Sequence, residues 1–364
     1  MPLSKIQLSE ATGRRNLVIN GAMQIFQRAT AATTSSNGTY TTVDRFAADK
    51  INDGAFTTEK STDNPFGTGT SLKAQVTSAD TSLAATQYAR ILQNIEAQNL
   101  QHLLYGTSSA KTLTLSFWVK SSKTGIYSIT LRKPDNTAYH FCHEYTISSA
   151  NTWEKKVITI TPTAGSTSFI TASAGAIAND TGLGLELSFA LGQGSTYAIG
   201  TSNTWSSNTN VFASTNQVNW MDNTSNNFYL TQVQLEVGNL TDFEHRSFAE
   251  ELTLCQRYCH VMGGAGVYER FAVGYIQSAT QARCVTYFPT AMRANPSTTS
   301  SNVALLLVAS RAAAQTVSSI SVDFNSPTVA HLQYNVSSGL NTGEGCHIVA
   351  NNNSNARLTF EAEL

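Results

Sequence analysis

Between Thr112 and Lys120 the chain reads TLTLSFWVK, with Leu113, Leu115, Phe117 and Val119 alternating against Thr114, Ser116, Trp118 and Lys120. Side chains along a strand point to opposite faces in turn, so this period of two gathers the four apolar residues on one side. The run from Leu183 repeats the pattern: Leu183, Leu185, Leu187, Phe189 and Leu191 alternate with Gly184, Glu186, Ser188 and Ala190. Each such strand has one face that another layer must cover. A chain with two of them is committed to packed sheets.

The rest of the sequence agrees. Charged residues make up 13% of the 364, about half the ~25% of an ordinary soluble domain. Thr, Ser, Asn and Gln supply the polarity instead, and they favour half-exposed strands and turns. A net charge of −1 excludes the broad basic field that non-specific nucleic-acid binding needs. No run approaches the ~18 apolar residues of a membrane helix, and no signal peptide precedes Asn16, so synthesis in a cytoplasm without membrane insertion is expected.

Residues 1–15 are too short for a core and read as an N-terminal arm. Asn16 to Phe26 reads as a strand interrupted at Asn20-Gly21. Eight to ten short strands with polar loops follow over roughly 220 residues, which predicts a sandwich or barrel. Phe228 to Val237 closes this domain, which spans 16–245. Ser247-x-x-Glu250 then fits a capping box, and Leu252, Leu254, Cys255, Tyr258, Cys259 and Val261 form a helical apolar stripe stopped by Gly263-Gly264, so a linking helix is expected over 246–262. Residues 263–364 carry about six further strands, enough for a smaller β-sandwich domain.

Catalytic sets are missing from the sequence. It holds no G-x-S-x-G elbow, no H-E-x-x-H, no P-loop and no G-x-G-x-x-G opening a helix, so no enzyme is expected. Five cysteines without regular spacing imply no disulfide framework and no zinc site; Cys255 and Cys259, beside His260, read as packing. Aromatic residues are the remaining signal. Trp205, Trp220 and Tyr197 fall among polar loop residues, and Trp118 lies on the strand face opposite Phe117 and Val119. All four are candidates for stacking on a sugar ring, with burial as the competing reading for the loop residues.

Three segments resemble the jelly-roll domains of bacteriophage tail fibre and tail-tip proteins, which are similar in turn to carbohydrate-binding modules: NLVINGAMQIFQR, LSFWVKSSKTGIYSITL and FYLTQVQLEVG. DFEHRSFAEELTLCQRYCHVM resembles the phage version, in which a helix leads to a distal domain. The resemblance implies an all-β virion protein: a jelly-roll β-sandwich, a short linking α-helix and a smaller C-terminal β domain. It implies host attachment through a surface glycan, with the N-terminal arm bound to other virion proteins. Capsid decoration or a connector without a receptor is the alternative, and a glycan-degrading enzyme the least favoured. Carbohydrate-binding relatives often hold calcium with acids after the N-G turn and before the closing strand's Val. Here Ala22, Met23, Gln24, Thr231 and Gln232 stand there, so no metal or other cofactor is expected. A small β domain with strand edges is safer inside a closed assembly; a homotrimer is expected, with Leu254, Tyr258 and Val261 at its contact.

Overall fold

The computed structural model describes residues 14–34, 37–208, 210–300 and 302–364. The N-terminal arm expected over residues 1–15 lies, up to residue 13, outside the described residues. The chain divides into two compact units, one running to Phe248 and one over Ala249–Glu363.

In chain order the first unit holds β1 (Thr33–Thr34), β2 (Ala47–Ile51), β3 (Ala55–Ser61), β4 (Ser71–Ser78), β5 (Tyr88–Glu96), β6 (Leu113–Ser121) and β7 (Gly125–Lys133). It continues with β8 (Tyr139–Ile147), β9 (Glu154–Ile160), β10 (Leu183–Gln193), β11 (Ala198–Ile199), β12 (Thr204–Ser206), β13 (Ala213–Ser214) and β14 (Asn227–Val237). Two six-stranded antiparallel sheets, ordered β1-β3-β4-β14-β6-β9 and β12-β8-β7-β10-β5-β2, make a jelly-roll sandwich. The alternating runs behave as their spacing requires. Leu113, Leu115, Phe117 and Val119 of β6, in the first sheet, share one core with Leu185, Leu187 and Phe189 of β10, in the second. The rings of Phe117 and Phe189 meet edge to face at 5.1 Å across the two sheets. Each such side chain contributes about 1.5–3 kcal/mol by leaving water.

Asn16 to Phe26, expected as an interrupted strand, forms turns. Two asparagine side chains replace the ladder. The Asn16 carboxamide donates to the Val233 carbonyl (3.0 Å) and accepts from the amides of Val18 (3.0 Å) and Leu235 (3.1 Å). Asn20 accepts from the amides of Gln24 (2.8 Å) and Ile25 (3.0 Å) and donates to the Ile25 and Asp44 carbonyls. Gly21 sits so close to β14 that a Cβ would lie 2.1 Å from the Val233 carbonyl oxygen. The N-G turn and the closing strand therefore lock together, and only glycine fits between them.

The second unit opens with α1 (Phe248–Gln256), shorter than the helix expected over 246–262. It continues with β15 (Cys259–Met262), β16 (Arg270–Ser278), β17 (Gln281–Tyr287), β18 (Ser297–Ser300), β19 (Leu306–Ser310), β20 (Ala314–Asn325), β21 (Val329–Val336), β22 (Gly345–Ala350) and β23 (Leu358–Glu361). Cys259 to Met262 thus belongs to a strand, paired with β23. The apolar stripe that suggested one long helix was a helix followed by a strand. The smaller domain was expected as a sandwich, but β16-β17-β21-β20-β19-β22 closes into a barrel beside a three-stranded sheet, β15-β23-β18. Register shifts in β16 and β20 bend those strands enough for closure. Six short alternating strands fit either architecture, and the bulges that decide between them leave no mark in the apolar spacing.

Candidate functional site

The first sheet of the sandwich turns one side of each strand away from the core. One cross-strand row runs Glu59 (β3), Lys73 (β4), Tyr229 (β14), Lys120 (β6). The next runs Thr231 (β14), Trp118 (β6), Lys155 (β9). Residues directly opposite on one face of a sheet stand close enough to touch, so the rows form a continuous surface.

Lys120 is its centre. Its ammonium lies 4.3 Å from the centroid of Tyr229 and 5.3 Å from that of Trp153, a cation held against two π faces. It also pairs with Asp63, whose other oxygen accepts from the Trp153 indole N–H at 3.0 Å. Trp153 meets Tyr229 edge-on at 6.1 Å. Burial pulls the Asp63 carboxyl upward, but the hydrogen bonds from Lys120 and Trp153 and the lysine charge outweigh it and hold the carboxyl below its usual range. Along the same row Lys73 donates to Glu59 at 2.7 Å, and that bond lifts the lysine above its usual value.

The loop between β3 and β4 supplies the remaining aromatic. Phe66 is 52% exposed and packs edge-on against Trp118 at 5.5 Å. Its position is set by the Asn64 side chain, which accepts from the Phe66 amide at 2.9 Å, and by Gly67 and Gly69, both at positive φ. The result is four aromatic side chains on or beside one sheet face, interleaved with lysines and carboxylates already oriented by one another. Such a surface can stack on apolar ring faces and hydrogen-bond to hydroxyls at the edges.

Of the four aromatic residues singled out in the sequence, only Trp118 is on this face. Trp205 is 3% exposed; its ring packs on Phe141 at 5.6 Å and its N–H donates to the Thr161 carbonyl at 3.0 Å. Trp220 is wholly buried against Phe56 at 5.7 Å. Tyr197 stacks on Phe212 at 4.5 Å and meets Tyr88 at 5.3 Å. The polar loop carrying them returns onto the sandwich and buries Trp205 and Trp220, while Tyr197 is half-buried. Tyr229, Lys120, Trp153, Asp63 and Phe66 were not picked out as ligand candidates. Lys120 shares the outward parity of Trp118 on β6 and was legible on that ground; Tyr229 faces outward because the register of β14 shifts between Thr231 and Gln234, and Asp63 and Phe66 reach the face through loop geometry.

The side chains proposed for a trimer contact are also placed. Tyr258 is 1% exposed, and its carbonyl accepts from the Ala362 amide at 2.8 Å. Val261 pairs with Thr359 in the β15–β23 ladder, and Leu254 is half-buried on α1. They do not form one free helical face. Glu236, near the end of the closing strand, accepts from Gln234 and from the amide of Thr241, each at 2.9 Å. Among the described residues no three His, Cys, Asp or Glu side chains come together as a metal ion would need.

No protein-family model and no curated protein matches the chain. Several solved structures are similar in part. A candidate sugar-binding protein from Bacteroides thetaiotaomicron VPI-5482 is 14% identical, over 62% of this chain and 100% of that one, with a TM-score of 0.35. The family 11 carbohydrate-binding module of a cellulosomal cellulase of Clostridium thermocellum is 13% identical, over 60% and 99%, with a TM-score of 0.30. The enzymatically active domain of tailspike protein 4 of bacteriophage CBA120 is 13% identical, over 61% of this chain and 21% of that one, with a TM-score of 0.28. Overlaps of this degree fix neither ligand nor partner.

Proposed function

We propose that the protein binds a glycan on the outer face of the first sheet, with Trp118 and Phe66 as stacking surfaces, Asp63 and Lys73 as hydrogen-bonding partners, and the buried Lys120 holding Asp63 in place. One observation carries this reading: aromatic rings and mutually oriented charged groups share a single open sheet face. The resemblance of the N-G segment and the closing strand to phage tail-fibre jelly rolls supports the finer proposal, attachment of a virion to a host-surface glycan. The protein acts as a binder and not as a hydrolase in this reading, since Glu59 and Asp63 are each engaged by a lysine and neither stands free as an acid or base.

A panel of bacterial surface polysaccharides, screened by calorimetry, tests the proposal. The chain is expected to bind at least one of them, and Trp118→Ala is expected to weaken that binding at least about tenfold, the effect of losing one good aromatic contact. Failure of the whole panel to bind would remove the glycan reading. Release of reducing ends from any of the polysaccharides would replace it with an enzymatic one.

A further inference from the structure

We infer that the barrel of the second unit associates with a second copy of the chain through an apolar strip on its outer wall. The strip follows from strand register. Val273 (β16), Val285 (β17), His331 (β21) and Phe324 (β20) form one row across four neighbouring strands. Tyr275 and Arg283 pair in the row on one side, and Tyr287 and Val329 on the other. Four of these side chains stand well out in solvent: Tyr287 at 77%, Phe324 at 72%, Val273 at 67% and Tyr275 at 49%. The Phe324 ring lies parallel to His331 at 6.5 Å.

This much open apolar surface is unusual for a sheet whose other side already packs a full core of Ile276, Cys284, Leu332, Tyr334 and Ile348. With ~150–250 Å² per aromatic side chain, the three rings alone expose on the order of 400 Å². A standard interface takes about 800 Å² per partner, so half of one is already present, with the valines and the aliphatic parts of their neighbours adding to it. The barrel is closed, so association cannot proceed by adding strands to an edge and must use side chains on a wall.

Charge selects the occupant. Arg283 pairs with Asp323, and His331 lies 3.3 Å from the same carboxylate. The strip therefore holds one cation and one anion at its middle and offers no excess of either sign to a differently charged partner. A surface with its charges paired internally and its rings exposed meets no like-charge repulsion from its own copy.

Sedimentation of the full chain over a concentration series tests the inference, with Tyr287→Ser/Phe324→Ser as the variant. The wild type is expected to self-associate. The variant is expected to associate at least about a hundredfold more weakly, with its melting temperature at high dilution unchanged because both side chains are exposed. Trp118→Ala, on the other unit, should leave association untouched. A wild type that stays monomeric throughout, or association that persists in the double variant, would overturn the inference. If the double variant misfolds, Tyr275→Lys places an unmatched charge in the same strip, and association that survives it would also overturn the inference.

Discussion

The two sheets of the sandwich carry the same alternating pattern, yet their outer faces have opposite fates. On the first sheet Trp118 and Tyr229 remain partly open, with Lys120 buried between its partners. On the second, Ser188, Thr130 and Cys142 occupy equivalent outward rows but are buried. The segment from Gly194 to Asn219 returns across that face. It is tied down where the Ser214 amide donates to Ser128 (3.1 Å), Gln193 donates to the Ser214 carbonyl (2.9 Å) and the Val218 amide donates to the Ile126 carbonyl (2.9 Å). Beneath it Arg90 bridges Asp49 (2.8 Å) and Glu186 (2.7 Å) and lies 4.0 Å under the Phe212 ring. Polar residues on one face are therefore covered by the chain itself, and part of the other face stays open. A strand pattern shows which residues point outward; whether outward means solvent depends on where a distant loop lands.

The sharpest way to break this contrast is to exchange the roles of its tryptophans. Trp205→Ala should cost about 3–5 kcal/mol of stability by opening a cavity in the core, whereas Trp118→Ala should cost about 1 kcal/mol or less. Thermal melts of both variants check this, and equal losses would show that the faces do not differ. Arg90→Met attacks the sealed face through charge. It strands Asp49 and Glu186 without their cation, for an expected loss of about 3–5 kcal/mol, measured by urea unfolding.

A pH series sharpens the comparison further. Burial pushes His140 on the sealed face down to about 4, with the nearby Arg132 charge acting in the same direction. Its folded value lies below its unfolded value of 6.5, so the unfolded chain takes the proton first. Stability should therefore fall as the pH drops from 6.5 towards 4, by about 3 kcal/mol at ~1.4 kcal/mol per unit, and His140→Gln should flatten that slope. The open face should respond in a different window. Asp63 is held below its ordinary value, so the Lys120–Trp153 arrangement is complete above the usual carboxylate range. It should loosen only as the pH falls below 3.8. Asp63→Asn should accordingly change stability by less than about 1 kcal/mol, the ordinary worth of an exposed pair, while weakening glycan binding by severalfold.

Much of the fold was legible in the sequence because burial on one side of a strand imposes a strict period. The closing strand over Phe228 to Val237 could be read this way, whereas Asn20-Gly21 marked a break in the chain without showing that it packs on that strand. Two things could not. Trp205 and Trp220 looked available because their neighbours are polar, but loop polarity does not report where the loop packs. Asp63 and Phe66 reach the site from a turn shaped by Gly67 and Gly69, and a turn's direction is not written in hydrophobic periodicity. The helix misjudged over 246–262 is a third lesson. Cys255 and Cys259 are four apart, which suits a helix, but the ladder with β23 claims the second of them.

Hydrogen exchange on the full chain with a bound polysaccharide tests most directly which face receives the ligand. The expected result is added protection in β6, β14, the start of β9 and the loop carrying Asp63 and Phe66, with the Gly194 to Asn219 segment unchanged. Protection confined to that segment, and to β8 and β10 beneath it, would place the ligand on the sealed face and contradict the proposed site.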